Sequence, residues 1–389
     1  MYLIKPIWTR PGSMQRTLAA AALLALAGCS LFMPQPPPAP PAPPPKPQLA
    51  APVATHTFPF DPKSTGVVGE LQVTYSHQED TFADIARRYN LGYDELVNAN
   101  PGVDAWLPGE GTRIVLPTQF VLPDAPTEGL VVNLAALRLF YFPKPAKDEP
   151  RVVITYPIGI GMVGWATPTG TTKVVSKRKD PVWTPPESVR KEHAADGDIL
   201  PARVPAGPDN PLGAFAMNLG WPTYLMHGTN KPAGVGMRAS HGCIRLYPED
   251  IATLFDRVAV GVPVTVVNQP LVYRWQGDSL YLQSYPPHEE HPEAAKAAKG
   301  SRFNKALADK MWQRAKPHAG TVDLKLAEQV VNDARGVAVP VSRSGVTYDG
   351  FVAGGRLVEN RIPAGATWDG SDNPVPTARA QPANDAGRR

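Results

Sequence analysis

Between Gly129 and Asn268 the chain alternates short apolar, β-branched runs with turn residues, and only one stretch there carries helical spacing. A segment of this kind is constrained to a mainly β fold with little helix. Leu130-Val131-Val132-Asn133-Leu134 and Leu137-Arg138-Leu139-Phe140-Tyr141-Phe142 predict a hairpin, and Val152-Val153-Ile154-Thr155-Tyr156 a third strand. Further strands are expected over Thr172–Ser176, Tyr224–Met226 and Val262–Val267. The helix starts at Pro248, which suits a first helical position. Glu249 and Asp250 complement its dipole, and Ile251, Leu254, Phe255 and Val258 form its apolar face.

A chain of 389 residues exceeds one such domain, so more folded units are expected. Lys5, Arg10 and Arg16 precede an apolar run from Leu18 to Ala27, about half of what spans a bilayer. That is the pattern of a signal peptide, with Met1 or Met14 as its start. The run ends in Leu26-Ala27-Gly28-Cys29, which resembles the bacterial lipobox. The resemblance implies residues 1–29 as a lipoprotein signal and Cys29 as the lipidated residue. Ser30, where an Asp commonly means inner-membrane retention, implies a periplasmic protein anchored in the outer membrane. From Pro34 to Pro47 the sequence is almost wholly Pro and Ala, a polyproline II tether of roughly 40 Å. The linker is read over 30–68.

The net charge is +4 and the basic residues are scattered, which argues against a nucleic-acid partner. The chain has two cysteines. With Cys29 used by lipid, Cys243 stands alone in an oxidising compartment, either buried and inert or kept for its reactivity.

From Leu71 to Pro117 the order is a short strand near Val73–Tyr75, a capping box at Thr81-Phe82-Ala83-Asp84, a helix, a second helix over Tyr93–Ala99, and a closing strand at Arg113–Pro117. This βααβ order, with Asn98-Ala99-Asn100-Pro101 after the second helix, resembles the LysM module, although Glu79 stands where a Gly is usual. The resemblance implies a small α+β unit over 70–118 that holds the protein on the glycan strands of peptidoglycan. Residues 269–364 form an extension without an assigned role, with helical patterns over Phe303–Arg314 and Leu324–Ala334 and possible sheet continuation over Tyr273–Tyr285. Residues 365–389 have the composition of a disordered tail.

Chemistry concentrates where His227-Gly228-Thr229 follows a strand and Ser240-His241-Gly242-Cys243-Ile244-Arg245 comes shortly after. A thiol of ordinary pKa is mostly protonated at neutral pH and needs an imidazole to accept its proton or to stabilise the thiolate. His227 and His241 both qualify. Gly242 permits a sharp turn, so that backbone amides beside Cys243 can converge on an oxyanion. Trp165, Trp183 and Trp221 offer stacking surfaces or simply core packing.

The pairing of His-Gly-Thr with Ser-His-Gly-Cys-Ile-Arg, with Thr167-Pro168-Thr169-Gly170 upstream, is similar to the YkuD-type L,D-transpeptidase family, in its ErfK/YbiS-like branch. The resemblance covers 127–268 and implies a β-sandwich with one main helix. It implies Cys243 as nucleophile, His227 as acid/base, Ser240, His241 and Gly242 lining the site, and Arg245 and Gly228 in substrate binding. It implies no cofactor and no metal. The partners it implies are tetrapeptide stems, with a diaminopimelate amine, a wall-anchored lipoprotein or outer-membrane protein, or water as acceptor of a cysteine thioester. An activated thiolate of this kind is expected to alkylate faster than a model thiol. Competing readings are a non-catalytic wall-binding lipoprotein, a carboxypeptidase or cysteine peptidase of the wall, and a zinc site on His227, His241 and Cys243.

Overall fold

A computed structural model of the chain describes residues 56–288 and 322–361, with Asp309 and Gln313 between them. The expected signal peptide with Cys29, the Pro/Ala run, nearly all of the helix expected over Phe303–Arg314 and the tail expected over 365–389 lie outside the described residues.

The first described strands are β1 (Thr57–Pro59), β2 (Val67–Gly69) and β3 (Gln72–Tyr75). Helices α1 (Phe82–Arg88) and α2 (Tyr93–Ala99) follow, then β4 (Arg113–Leu116) and β5 (Gln119–Val121). The central region contains β6 (Gly129–Asn133), β7 (Arg138–Phe142), β8 (Val152–Pro157), β9 (Ile160–Gly161) and the long β10 (Gly170–Lys179). After α3 (Glu187–Ala195) come β11 (Phe215–Leu219), β12 (Leu225–His227), β13 (Arg238–Ser240), β14 (Ile244–Arg245), α4 (Pro248–Arg257) and β15 (Pro263–Val267). The rest comprises β16 (Leu271–Gln276), β17 (Ser279–Ser284), α5 (Leu324–Asp333), β18 (Val339–Pro340), α6 (Tyr348–Ala353) and β19 (Arg356–Leu357).

The protein is mainly β with few helices. Its main sheet is one hydrogen-bonded order of nine strands, β1-β8-β7-β6-β15-β10-β11-β12-β14. β10 hands the sheet over: Gly170–Lys173 pair with β15, and the stretch from Val174 to Lys179 pairs with β11, with a register shift between Val174 and Ser176. A bulge of this type bends a strand. The bent sheet meets α4, whose Ile251, Leu254 and Phe255 are buried with Val174, Met217, Met226, Ile244 and Val264 in one core.

The unbroken apolar run Leu130-Val131-Val132 follows from the two faces of β6. Leu130 and Val132 point into the α4 core. Val131, with Phe140 of β7 and Val153 of β8, points into a second core against Phe82, Ile85, Ala86 and Leu96 of the two short helices. Side chains alternate along a strand, so a strand covered on both sides is apolar throughout. Each such side chain contributes about 1.5–3 kcal/mol when fully buried.

β3 and β4 pair antiparallel around α1 and α2, so the expected strand, helix, helix, strand order is present at 72–116. Thr81 and Asp84 make the capping box. β19 joins this sheet in parallel beside β3. Asn360 then donates to Tyr75 O and to Asp80 Oδ2 and accepts from Arg88 Nη1. Residues near the end of the extension thus complete this small unit.

Two expectations are corrected. The linker does not run to 68, because Thr57–Pro59 form the outer strand on β8, and Phe60, Val67 and Val68 are buried. The Tyr273–Tyr285 segment does not continue the main sheet. β15 already has β6 and β10 on its two sides, so β16 and β17 pair with each other and with β18 in a separate sheet. α5 falls within the expected Leu324–Ala334 helix, with Asp323 capping Leu326 N.

Candidate active site

His227 closes β12, and β12 runs parallel to β14 with Met226 opposite Ile244 and His227 opposite Arg245. Directly paired residues share a face, as do residues two apart on one strand. Cys243, immediately before β14, therefore lies on the same side as Arg245 and His227. The intervening loop returns through β13, which pairs with β9. Gly159 and Arg245 exchange backbone hydrogen bonds of 2.8 and 2.9 Å, which ties the strand after Cys243 to the β8–β9 corner.

The His227 side chain is 4% exposed. Its Nδ1 lies 2.6 Å from Gly228 O. A carbonyl only accepts, so Nδ1 carries the hydrogen and Nε2 keeps its lone pair. Burial and then the Arg245 guanidinium lower its pKa to about 3, with the Gly228 hydrogen bond opposing. His227 is a neutral imidazole at physiological pH.

Cys243 is half-buried, and its Sγ lies 3.7 Å from Thr223 O. Burial pushes the thiol up, against the opposing influence of the Leu225 N–H and the Arg245 charge. Two hydroxyls hold the backbone around it. Thr167 Oγ1 accepts from Gly161 N at 3.0 Å and donates to Gly242 O at 2.9 Å. Ser240 Oγ donates to Cys243 O at 2.6 Å. In a trans peptide the C=O and the following N–H point in opposite directions, so a Gly242 carbonyl fixed on buried Thr167 turns the Cys243 N–H the other way. Gly242 has φ +97°, and a Cβ there would meet Tyr224 Cε1 at 2.9 Å. Only glycine takes this position without strain.

His241 is held from outside the motif. Its Nε2 lies 3.0 Å from Glu192 Oε2 on α3, and Trp165 packs edge-on against its ring with centroids 4.9 Å apart. His193 is 5.9 Å away, centroid to centroid, and its own Nδ1 lies 2.8 Å from Asp198 Oδ2. Burial lowers the His241 pKa, while Glu192 opposes that shift. Arg245 has a buried Nε without a hydrogen-bond partner among the described residues. The far side of the loop rests on α2, where Tyr93 N and Asp94 N donate to Val235 O and Gly236 O. A Cβ on Gly236 would sit 2.1 Å from Gly92 Cα, so this contact is backbone on backbone.

The structure brings together His227, Gly228, Ser240, His241, Gly242, Cys243 and Arg245, while Cys29 lies outside the described residues. No group of three His, Cys, Asp or Glu side chains among the described residues is placed to hold a metal ion. Of the tryptophans, Trp165 abuts His241, Trp221 packs on Tyr224 and the main core, and Trp183 makes a backbone bridge with Val204. Sequence reasoning noted Thr167 without a role and missed Glu192, which sits about fifty positions upstream with no local pattern to mark it.

The family profile described as the L,D-transpeptidase catalytic domain, YkuD, matches residues 127–266. The probable L,D-transpeptidase YcfS of Escherichia coli is 45% identical over 228 residues, 57% of this chain and 70% of that protein. This chain belongs to the YkuD L,D-transpeptidase family. The probable L,D-transpeptidases ErfK/SrfK and YbiS of Escherichia coli are 41% and 42% identical over 235 residues, 59% of this chain and 74% and 75% of theirs. These aligned stretches are longer than the matched catalytic domain, so the likeness of this L,D-transpeptidase to its relatives continues beyond it.

Burial around Cys243 points the other way from the expectation of a fast-reacting thiolate. Burial pushes the Cys243 thiol up and the His227 imidazole down, and both side chains have Arg245 as a charged neighbour. At pH 7, iodoacetamide is expected to label Cys243 in the folded protein at least about threefold more slowly than a free thiol, and urea should speed the labelling. Peptide mapping against time reads both rates, and faster labelling of the folded state would show a resting thiolate.

Proposed function

We propose that this protein cleaves peptidoglycan tetrapeptide stems before the terminal D-alanine through a Cys243 thioester, and passes the acyl group to an amine. The observation that carries this reading is the placement of Cys243 on the same face of paired strands as a buried, neutral His227 with a free Nε2, in a chain of this family. In the first half-reaction Sγ attacks the carbonyl carbon, its proton passes to His227 Nε2, and that proton moves to the departing D-alanine nitrogen. The thioester conserves the energy of the cleaved amide, and the reaction balances with no cofactor.

The Cys243 N–H, turned by the Thr167 contact to Gly242 O, supplies a donor for the tetrahedral oxyanion. One such donor is worth roughly 3 kcal/mol of barrier. Arg245 Nε, a buried donor in want of an acceptor, suits a stem carboxylate beside Gly228. The acceptor is a diaminopimelate amine, giving a 3-3 cross-link, or the amine of a wall-anchored protein. The strand-helix-helix-strand unit acts as the glycan-holding LysM module, and lipid on Cys29 anchors the protein in the outer membrane, facing the periplasm.

The test incubates full-length protein and its Cys243→Ala variant with a tetrapeptide-stem muropeptide, followed by intact-mass and product analysis. Loss of D-alanine with a dimer or amine-exchange product is expected in wild type and is expected to fall roughly 10^4-fold or more in the variant. Equal products from both proteins, or none from wild type, would favour a wall-binding role without catalysis.

A further inference from the structure

The proton count of the second half-reaction leaves a group unassigned. Resting on the thioester reading above, the acceptor arrives as an ammonium with three N–H bonds, and the amide it forms keeps one. Two protons leave. One travels through His227 Nε2 to the departing Cys243 sulfur, which restores the thiol as the C–S bond breaks and the C–N bond forms. His227 cannot take the other, because its Nδ1–H is already committed to Gly228 O.

We propose that His241 takes this second proton on Nδ1, with Glu192 as the positioning residue that holds the ring in the required tautomer. The carboxylate on Nε2 only accepts, so Nε2 carries the hydrogen and Nδ1 presents its lone pair. Trp165 fixes the ring plane from the side. His241 is half-buried, where a substrate can reach it, whereas His227 is enclosed.

The titratable and charged groups facing His241 are Glu192 and His193 from α3, Asp198 on the far side of His193, and Arg245 from β14. Glu192 stabilises the imidazolium, while His193 and Arg245 oppose it. Burial keeps His241 below its ordinary value and therefore neutral before the acceptor arrives. His227, held near 3, is the poorer acceptor for a proton from an amine whose own pKa is about 10. α3 thus contributes a carboxylate that selects for cationic acceptors.

An uncharged nucleophile tests this, because it has one proton fewer to lose. Full-length wild type and Glu192→Gln are given the tetrapeptide muropeptide at pH 7, with added diaminopimelate as the ammonium acceptor or hydroxylamine as an acceptor that is mostly uncharged. The amide products, dimer or exchange product, are compared with the hydroxamate. The amide-to-hydroxamate ratio is expected to fall about tenfold or more in E192Q. The deficit should shrink as rising pH deprotonates the amine, and Glu192→Asp should recover part of it.

An unchanged ratio, or equal loss of both products, overturns the proposal, the latter showing that Glu192 only braces the loop. Wild type that yields hydroxamate and no amide also overturns it. Wild type with no acyl adduct on Cys243 and no product overturns the thioester reading itself, a distinguishable result.

Discussion

Glu95→Gln is expected to destabilise the protein by about 3–5 kcal/mol, seen as a lower urea midpoint, because it strands a buried guanidinium. Arg138 is fully buried on β7 and donates from Nε and Nη2 to both oxygens of Glu95 at 2.7 Å. Glu95 sits in the first turn of α2 and also accepts from Gly92 N at 2.6 Å. A glutamine offers one oxygen to these three donors and turns an NH2 group toward the others. Beyond what that single oxygen can still accept, Arg138 has only weaker contacts, to Asn90 O at 3.2 Å and Thr155 Oγ1 at 3.4 Å, and its position over the Phe120 ring. Domains are commonly stable by only about 5–15 kcal/mol, so a loss of this size is a large fraction of the whole.

The pair lies between the β7 sheet and the helical unit that braces the loop at Val235 and Gly236 ahead of Cys243, so its loss should also reduce activity through loosened α2 contacts. Replacing both residues, as Glu95→Leu with Arg138→Met, is expected to cost less than Glu95→Gln alone, since no buried charge is left without a partner. A change below about 1 kcal/mol in Glu95→Gln would mean that water reaches the pair and hydrates the guanidinium.

What could be read from the sequence depended on whether the cause was local. The Leu130-Val131-Val132 run and the Ile251, Leu254, Phe255 stripe have their period written in them, and both elements formed where expected. Cys243 and His227 stand out as candidates because the motif is short and the residue types leave few chemistries. β1 and β19 were not, since two or three residues display no period and their neighbours are supplied by distant strands. Phe58 and Phe60, set among prolines, were absorbed into the linker for that reason. Glu192 reaches His241 only through tertiary folding. The direction of the Cys243 and His227 shifts was missed because desolvation dominates both, and burial is a property of the fold.

Those shifts imply a broad pH profile. With His227 at about 3 and the thiol above its usual range, the neutral thiol and free imidazole prevail from about pH 5 to 8. Acylation kcat/KM is expected to be nearly flat over that window. An imidazole of ordinary pKa near 6.5 would instead lose roughly 30-fold between pH 7.5 and pH 5. His227→Gln should lower kcat/KM by roughly 10^2–10^4-fold at every pH.

The same residue should be visible in stability. Its folded pKa is depressed, so between about pH 6.5 and 3 the unfolded chain binds the proton and the folded chain does not. The contribution is fully present above 6.5 and is lost as pH falls toward 3. Wild type should therefore lose about 2–3 kcal/mol more than His227→Gln on going from pH 7 to pH 4.5. Parallel stability curves for the two proteins, or an acid limb near 6.5 in the rate, would place His227 in contact with water and remove the neutral-pair mechanism.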